Sequence, residues 1–174
     1  MSDHELLLQT RRFSVVRHQQ TLPDGSVHTR ESVQHPGAVV ILPMVDAEHV
    51  CLIHNYRIAV NETLIELPAG TLDRDEAPAT TARRELIEET GYQAKAITLL
   101  HQFYMSPGIL NERMWLYLAT GLTPGETARE AGEDIQNLVV TVDEAIRMAT
   151  DGTIHDAKSL VALLLYDRLR RTGN

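Results

Sequence analysis

The sequence predicts an α/β (α+β) fold: a mixed β-sheet with helices packed on it, preceded by an N-terminal β-hairpin extension. Short apolar, β-branched runs recur along the chain and predict strands, whereas one central and two later segments carry helical periodicity. No linker, repeat or low-complexity tract interrupts the 174 residues, which are enough to bury a substantial core. We therefore divide the chain into the hairpin extension, residues 1–36, and a main domain, residues 37–174.

The first strands follow from turn residues and β-branched runs. The segment "RRFSVVRHQQTLPDGSVHTRESVQHPG" predicts two strands joined by the turn "PDG". The apolar runs "AVVILPMV" and "VCLIHNY" are separated only by "DAEH" and predict a second hairpin. The next segment, "TLIELPAG", predicts a short strand that Pro68 and Gly70 end.

The segment "APATTARRELIEET" is the best helix candidate in the first half of the chain. Asp75 or Glu76 is placed to cap it, Pro78 suits its first turn, and Gly91 follows its end. Its apolar face, at three- and four-residue steps, comprises Ala79, Ala82, Leu86 and Thr90.

The second half predicts three strands and two helices. The strands are "AKAITLLHQFYM" and "ERMWLYLATGL", on either side of the loop "SPGILN", and then "IQNLVVTV". The segment "DEAIRMATDG" predicts a helix that Gly152 ends, and "HDAKSLVALLLYDRLRR" predicts a longer amphipathic helix.

Composition excludes several classes of protein. A net charge of −8 and a pI near 5.4 disfavour a nucleic-acid partner, which would need a basic face. No window approaches the roughly 18 apolar residues of a membrane span. The acidic start "MSDHELLLQTRRF" lacks a signal-peptide pattern, so we expect a cytoplasmic location and no membrane partner. The single Cys51 lies in an apolar run and predicts a buried strand thiol.

Three carboxylates lie close together on the central helix. Glu85 and Glu89 are one turn apart, and Glu88 flanks them, so their oxygens could converge on hard cations such as Mg²⁺. Arg84, four residues before Glu88, can pair with it, and the Ala69 carbonyl could add a neutral ligand. The alternative interpretation is a solvated helix face, because Glu and Arg favour helices and are common on their exposed sides.

A longer pattern favours the metal site. Its seven specified positions would match by chance about once in 10⁸ placements. They are Gly70, Glu76, Arg84, Glu85, Glu88, Glu89 and Gly91, with apolar Leu86 and Tyr92 also in place. This stretch resembles the complete Nudix box.

The resemblance implies a mixed sheet between helices and the hydrolysis of a nucleoside diphosphate linked to another group. It implies that Glu85 and Glu89 are the main metal ligands, assisted by Glu88 and the Ala69 carbonyl. Arg84 would orient the glutamates and Glu88 would also serve catalysis, while Gly70, Glu76 and Gly91 shape the motif. We expect two or three Mg²⁺ ions, with Mn²⁺ as an alternative.

The flanks resemble the ADP-ribose pyrophosphatase subgroup. The similar segments are "HNYR", "LIELPAG" and "SPGILNE", the last with Pro107 fifteen residues after Tyr92. The resemblance implies that ADP-ribose is hydrolysed to AMP and ribose 5-phosphate. GDP-mannose or another nucleotide sugar is the alternative substrate, and a non-catalytic ADP-ribose sensor is the alternative of another class.

The subgroup also implies a general base, substrate contacts and a dimer. In the acidic stretch "TPGETAREAGEDIQ", Glu133 is our choice of base, with Glu130 and Glu126 in reserve. We expect a homodimer whose subunits share each site. The candidate substrate-binding residues are Arg57, Glu66, Gly108, Glu112 and Phe13.

Overall fold

A computed structural model describes residues 4–72, 75–128 and 135–173. The strands are β1 His4–Gln9, β2 Ser14–Thr21, β3 Val27–Gln34, β4 Ala38–Pro43, β5 His49–Arg57, β6 Glu62–Glu66, β7 Ala69–Thr71, β8 Gln93–Tyr104, β9 Arg113–Thr123 and β10 Ile135–Thr141. The helices are α1 Pro78–Thr90, α2 Val142–Thr150 and α3 Ala157–Thr172. None of these helices is both long and apolar enough to cross a membrane.

The strands form three sheets. An N-terminal sheet has the order β1-β2-β3, a central sheet has the order β7-β4-β9-β8, and a third has the order β10-β5-β6. The pairing of β4 with β9 is parallel, and all other strand pairs are antiparallel. The predicted mixed-sheet α+β fold is therefore confirmed.

Strand β4 lies at the centre of the core and is buried on both faces. Val40 and Leu42 belong to the apolar cluster that includes residues of α2 and α3. Val39 and Ile41 point to the opposite face and join the cluster that contains Leu86 of α1. Because strand side chains alternate between faces, this one strand places helices on both sides of the central sheet. Fully burying each such side chain contributes about 1.5–3 kcal/mol.

The N-terminal extension contains one more strand than the sequence predicts. The predicted hairpin is β2 and β3, and Gly25 in its turn has φ +82°. Strand β1 adds to β2 in antiparallel pairing, with a bulge between Leu6 and Leu8. Its segment "HELLLQ" has no β-branched residue, and Leu and Glu favour helices, so local propensity does not reveal it.

The predicted hairpin of β4 and β5 is wrong. The two strands belong to different sheets and are joined only by an isolated bridge between Met44 and Val50. Because β4 is buried on both faces, its edges pair with β7 and β9 in the core. The segment "TLIELPAG" also divides into two strands: β6 ends at Glu66, and Gly70 lies inside β7 opposite Val39.

Helix α1 begins without the predicted side-chain cap. Its N-cap is Ala77 and Pro78 occupies the first turn, whereas the Glu76 carboxylate bonds to Arg84. The predicted end is confirmed, since Gly91 adopts the left-handed conformation at φ 78°. Ala79 is exposed and does not belong to the buried face. The buried residues of α1 are Thr81, Ala82, Leu86, Glu89 and Thr90.

The later elements agree closely with the predicted strands and helices. Helix α2 ends at Thr150, with Asp151 rather than Gly152 as its C-cap. Helix α3 begins after Asp156, whose carboxylate accepts a bond from Ser159 N. Cys51 is buried in β5 as predicted, and burial raises the pKa of its thiol to about 12.

Candidate active site

A cleft of about 1040 Å³ lies between the N-terminal sheet and the main domain. Five parts of the chain line it: the turn between β1 and β2, the connection between β3 and β4, the end of β5, strand β7 and helix α1. Helix α1 contributes four charged residues, Arg84, Glu85, Glu88 and Glu89. A cleft of this size, with charged groups from several elements, suits a small polar ligand.

Arg84 holds the carboxylates of α1 in place. Its Nη1 donates to Glu85 Oε1 and to Glu88 Oε2, each at 2.7 Å. Its Nε donates to Glu76 Oε1 at 3.0 Å. Partial burial opposes the charge of Arg84, but the bond to Glu76 and the charge of Glu85 outweigh it and raise the pKa of the guanidinium. The predicted pair of Arg84 and Glu88 is thus present, within a larger ion cluster.

Strand β7 packs directly on the acidic face of α1. Glu89 is only 5% exposed, and its Oε2 accepts a hydrogen bond from Ala69 N at 3.0 Å. A Cβ atom at Gly70 would overlap the carboxylate of Glu85. The sequence needs glycine at position 70 because this carboxylate lies against the backbone there.

These carboxylates suit a hard divalent cation by their chemistry, since Mg²⁺ prefers oxygen ligands. Within the described residues, no three His, Cys, Asp or Glu side chains already converge as a formed metal site. Glu85 and Glu88 are turned toward Arg84.

The chain segment that carries the candidate bases follows β9, and its described part packs against the end of α1. Ala128 N donates to Glu88 O at 3.2 Å, and a Cβ at Gly91 would lie 2.6 Å from Gly125 O. Glu126 is described and exposed. The other two candidate bases, Glu130 and Glu133, lie outside the described residues.

Arg57 lines the cleft, and Glu66 lies behind it. The Glu66 side chain has no exposed surface, and it accepts two bonds from Arg57 and one from Lys158. Burial would raise the pKa of Glu66, but the bonds from Arg57 and the charge of Lys158 lower it below its usual value. Any effect of Glu66 on substrate binding must therefore be exerted through Arg57. Sequence spacing could not reveal the contact with Lys158, because the two residues are 92 positions apart.

Phe13 lies at the cleft together with Arg11 and Arg12. The turn that carries them is fixed by Thr10, whose Oγ1 donates to Phe13 O at 2.7 Å and accepts from Phe13 N at 3.0 Å. The two arginines were not among the predicted site residues. Their only sequence signal was adjacency to Phe13 in "RRF".

The loop "SPGILNE" is not brought to the carboxylates. Pro107 lines a separate concavity of about 340 Å³, and a Cβ at Gly108 would have nothing within 4 Å. Glu112 Oε1 lies 3.4 Å from Nδ1 of His35, and His35 lines the main cleft. Within one described chain, these three residues therefore flank the cleft and do not line it.

Comparison with known proteins identifies several relatives. The model of the NUDIX domain family matches residues 34–163. An ADP-ribose pyrophosphatase of Bacillus subtilis (strain 168) is 39% identical over 144 residues, covering 82% of this chain and 78% of the relative. A GDP-mannose pyrophosphatase of Enterobacter sp. (strain 638) is 32% identical over 176 residues, covering 94% and 88%. The crystal structure of an ADP compounds hydrolase shares the fold, with a TM-score of 0.84, 24% identity and coverage of 98% and 94%.

Proposed function

The chain belongs to the NUDIX domain family, and from this premise we propose that it hydrolyses the diphosphate of ADP-ribose to AMP and ribose 5-phosphate. One observation carries the proposal: the glutamates of α1 line the same cleft as Arg57 and Phe13. Carboxylates that can hold cations thus face groups that can hold a phosphate and a base. The ADP-ribose pyrophosphatase relative supports this choice of substrate.

In this proposal Glu85 and Glu89 are the main ligands of divalent cations, with Glu88 and the Ala69 carbonyl assisting. The cation is Mg²⁺, with Mn²⁺ as a replacement, and two or three ions bind together with substrate. Bound cations would supply neutralisation of the diphosphate charge. The oxygen-only donor set and the packing of Glu85 on Gly70 support the assignment.

Arg84 acts on the glutamates and not on the substrate. Its bonds to Glu85 and Glu88 hold both carboxylates beside the guanidinium. The same bonds fix the rotamers from which the carboxylates turn toward a ligand. Glu76 binds the other side of the guanidinium and supports Arg84 in this role.

The substrate is held by other residues that line the same cleft. Arg57 offers a guanidinium for a phosphate, and Arg11 and Arg12 add two more positive charges. Phe13 offers an aromatic face on which the base can stack. In this proposal the diphosphate of the substrate lies between these arginines and the cation-binding glutamates.

A homodimer would explain the residues that flank the cleft. Gly108, Glu112 and Pro107 could reach substrate in a site that two subunits share. Support comes from the N-terminal sheet, where Leu6 and Leu8 are 57% and 51% exposed. Neighbouring exposed leucines on one strand are typical of a surface that a partner covers.

The general base comes from the acidic segment after β9, with Glu133 as the first choice and Glu130 and Glu126 as reserves. Support for this assignment is the anchoring of that segment on α1 by the bond from Ala128 N to Glu88 O. The anchor ties residue 128 to the backbone of α1 beside Glu88. A base there would activate water next to the cation-binding glutamates.

GDP-mannose is the second candidate substrate, because a GDP-mannose pyrophosphatase matches almost the whole chain. Both substrates carry the same diphosphate and differ in base and sugar. The distinction thus depends on Phe13 and its neighbours. A non-catalytic sensor is disfavoured because all three box glutamates are retained.

The test measures phosphate release, coupled to alkaline phosphatase, from ADP-ribose, GDP-mannose and NADH, and pyrophosphate release, coupled to inorganic pyrophosphatase, from dGTP, each with and without Mg²⁺. We expect preference for ADP-ribose and loss of the activity under EDTA. Glu89→Gln should lower kcat by about 10²-fold or more. Glu48→Gln, which alters an exposed glutamate away from the cleft, should leave kcat unchanged.

Each other result has a definite meaning. Preference for GDP-mannose would keep the chemistry and replace the substrate. Full turnover by the Glu89→Gln variant would refute the metal-ligand assignment. A folded protein that is silent on all four substrates would refute the proposed function and favour the sensor.

A further inference from the structure

A buried ion network connects the N-terminus of α3 to the cleft. We propose that Lys158 is a positioning residue for substrate binding: by sharing the Glu66 carboxylate, it keeps Arg57 in place for an anionic substrate. Lys158 is not among the residues that line the cleft. The inference rests on the proposed function, in which Arg57 binds a phosphate.

The Glu66 carboxylate bridges the two cations. Arg57 Nε donates to Oε1 at 2.8 Å and Arg57 Nη2 donates to Oε2 at 2.6 Å. Lys158 Nζ donates to the same Oε2 at 2.6 Å. Two of the guanidinium nitrogens are thereby fixed, and the geometry is that of a bidentate arginine–carboxylate pair. The orientation of Arg57 is therefore set by where Glu66 is held.

The charges of the network balance only when Lys158 is present. Glu66 and Asp156 supply two negative charges, and Arg57 and Lys158 supply two positive charges. Without Lys158, Arg57 would be the single positive charge against the carboxylates of Glu66 and Asp156, and this network of named groups would become net negative. An anionic substrate that approaches Arg57 would then be attracted less, because burial strengthens such interactions.

Lys158 is itself rigidly held. Its Nζ also lies 2.8 Å from Asp156 Oδ1, and its side chain is only 11% exposed. Asp156 caps α3 by accepting from Ser159 N at 3.0 Å and from Ser159 Oγ at 2.6 Å. Leu67 N donates to Ser159 Oγ at 2.7 Å.

This anchoring extends from α3 toward the carboxylates of α1. The bond between Leu67 and Ser159 lies two residues before Ala69, which in turn bonds to Glu89. The start of α3 thus holds both the arginine side and the carboxylate side of the cleft. Among the named residues at the start of α3, Lys158 is the one that forms an ion pair with Glu66.

A purely structural ion pair makes a different prediction from a positioning residue. Loss of a structural pair lowers stability and leaves the kinetics of the folded fraction unchanged. Loss of a positioning residue raises KM in the folded enzyme, because Arg57 contacts the bound substrate in this proposal. Steady-state kinetics and thermal unfolding must therefore be measured on the same variants.

The chain offers a matched control, because it contains only two lysines, Lys95 and Lys158. Lys95 is exposed on β8, away from the cleft. We expect Lys158→Met to raise the KM for ADP-ribose about tenfold, with kcat within about twofold of wild type. Lys158→Arg should recover most of the loss, and Lys95→Met should change neither constant.

A double-mutant cycle tests whether Lys158 acts through Arg57. In an Arg57→Ala background, Lys158→Met should change KM by less than about twofold. If that double variant does not fold, Glu66→Gln replaces Arg57→Ala as the background, since without the carboxylate charge Lys158→Met should again leave KM unchanged. The proposal would be overturned if Lys158→Met raised KM equally in the wild type and in the variant background. It would also be overturned if Lys158→Met left the KM of the wild type unchanged.

Failure of the proposed function gives a different signature. A wild-type enzyme that prefers GDP-mannose contradicts the ADP-ribose assignment, and the same variants are then compared with GDP-mannose. A wild-type protein without turnover contradicts the proposed enzymatic activity. Calorimetric Kd values for ADP-ribose are then compared in place of KM. In every case the role of Lys158 is decided by comparing the change in KM or Kd that Lys158→Met causes with the change that Lys95→Met causes.

Discussion

At the scale of single residues, Gly70 shows how the backbone makes room for a carboxylate of the candidate site. Gly70→Ala would put a methyl group where Glu85 now packs, so the carboxylate must move. We expect the concentration of Mg²⁺ at half-maximal activity to rise at least about tenfold, because one proposed ligand is displaced. Magnesium titration of activity measures this, and thermal unfolding confirms that the variant is folded. An unchanged magnesium midpoint would show that Glu85 does not bind the cation.

Glu66 should make stability depend on pH. Its folded pKa lies below the ordinary value of 4.5, so the ionised carboxylate stabilises the fold above about pH 4.5. That contribution is lost as the pH falls through the lowered pKa. Glu66→Gln should lower the free energy of unfolding at pH 7 by about 3–5 kcal/mol, since two cations lose their buried partner.

Urea unfolding between pH 3 and pH 7 measures this effect of Glu66. The difference between wild type and Glu66→Gln should shrink as the pH falls below about 4.5. Glu48→Gln is the control, because Glu48 is exposed. A difference that stays constant over this range would contradict the role of the Glu66 charge.

At the scale of elements, the end of α1 is packed against the segment that follows β9. Gly91 has φ +78°, and an added Cβ would also lie 2.6 Å from Gly125 O. Gly91→Ala should therefore destabilise the protein by more than the roughly 1–2 kcal/mol of the left-handed conformation. It should also lower kcat, because it displaces the segment that carries the proposed base.

Gly152 provides a matched control for this prediction. It has a similar φ of +84°, but a Cβ added there would have nothing within 4 Å. Gly152→Ala should therefore show only the conformational cost, with kcat unchanged. Urea unfolding and kcat of both variants separate the two effects. Equal destabilisation and equal kcat would show that the contact of Gly91 with Gly125 is unimportant.

At the scale of the whole molecule, the N-terminal sheet contributes one wall of the cleft and presents exposed leucines. In the proposed homodimer these leucines contact the partner. Leu8→Asp should then convert a dimer of two 19.5 kDa chains into monomers and raise the KM for substrate. Sedimentation equilibrium and steady-state kinetics measure the two effects.

The control for the dimer is Val139→Asp on β10, a position that is 43% exposed but belongs to another sheet. It should leave both the mass in solution and KM unchanged. A wild-type protein that sediments as a single 19.5 kDa chain would contradict the homodimer and the shared site.

The sequence by itself determined the helix that carries the glutamates and its internal geometry. Residues three or four positions apart on a helix are neighbours, so the pair of Arg84 and Glu88 follows from spacing alone. The end of α1 at Gly91 and the turn between β2 and β3 follow equally from local conformational preferences. Most strand positions could be predicted for the same reason.

Only the tertiary structure decided which distant segments meet. The addition of β1 to β2, the separation of β4 from β5 and the placing of "RRF" at the cleft all depend on packing of the whole chain. The bonds of Lys158 to Glu66 and of Ser159 to Leu67 each span 92 positions. Local conformational propensity cannot predict such contacts, because their free energy arises only when the core forms and buries the groups together.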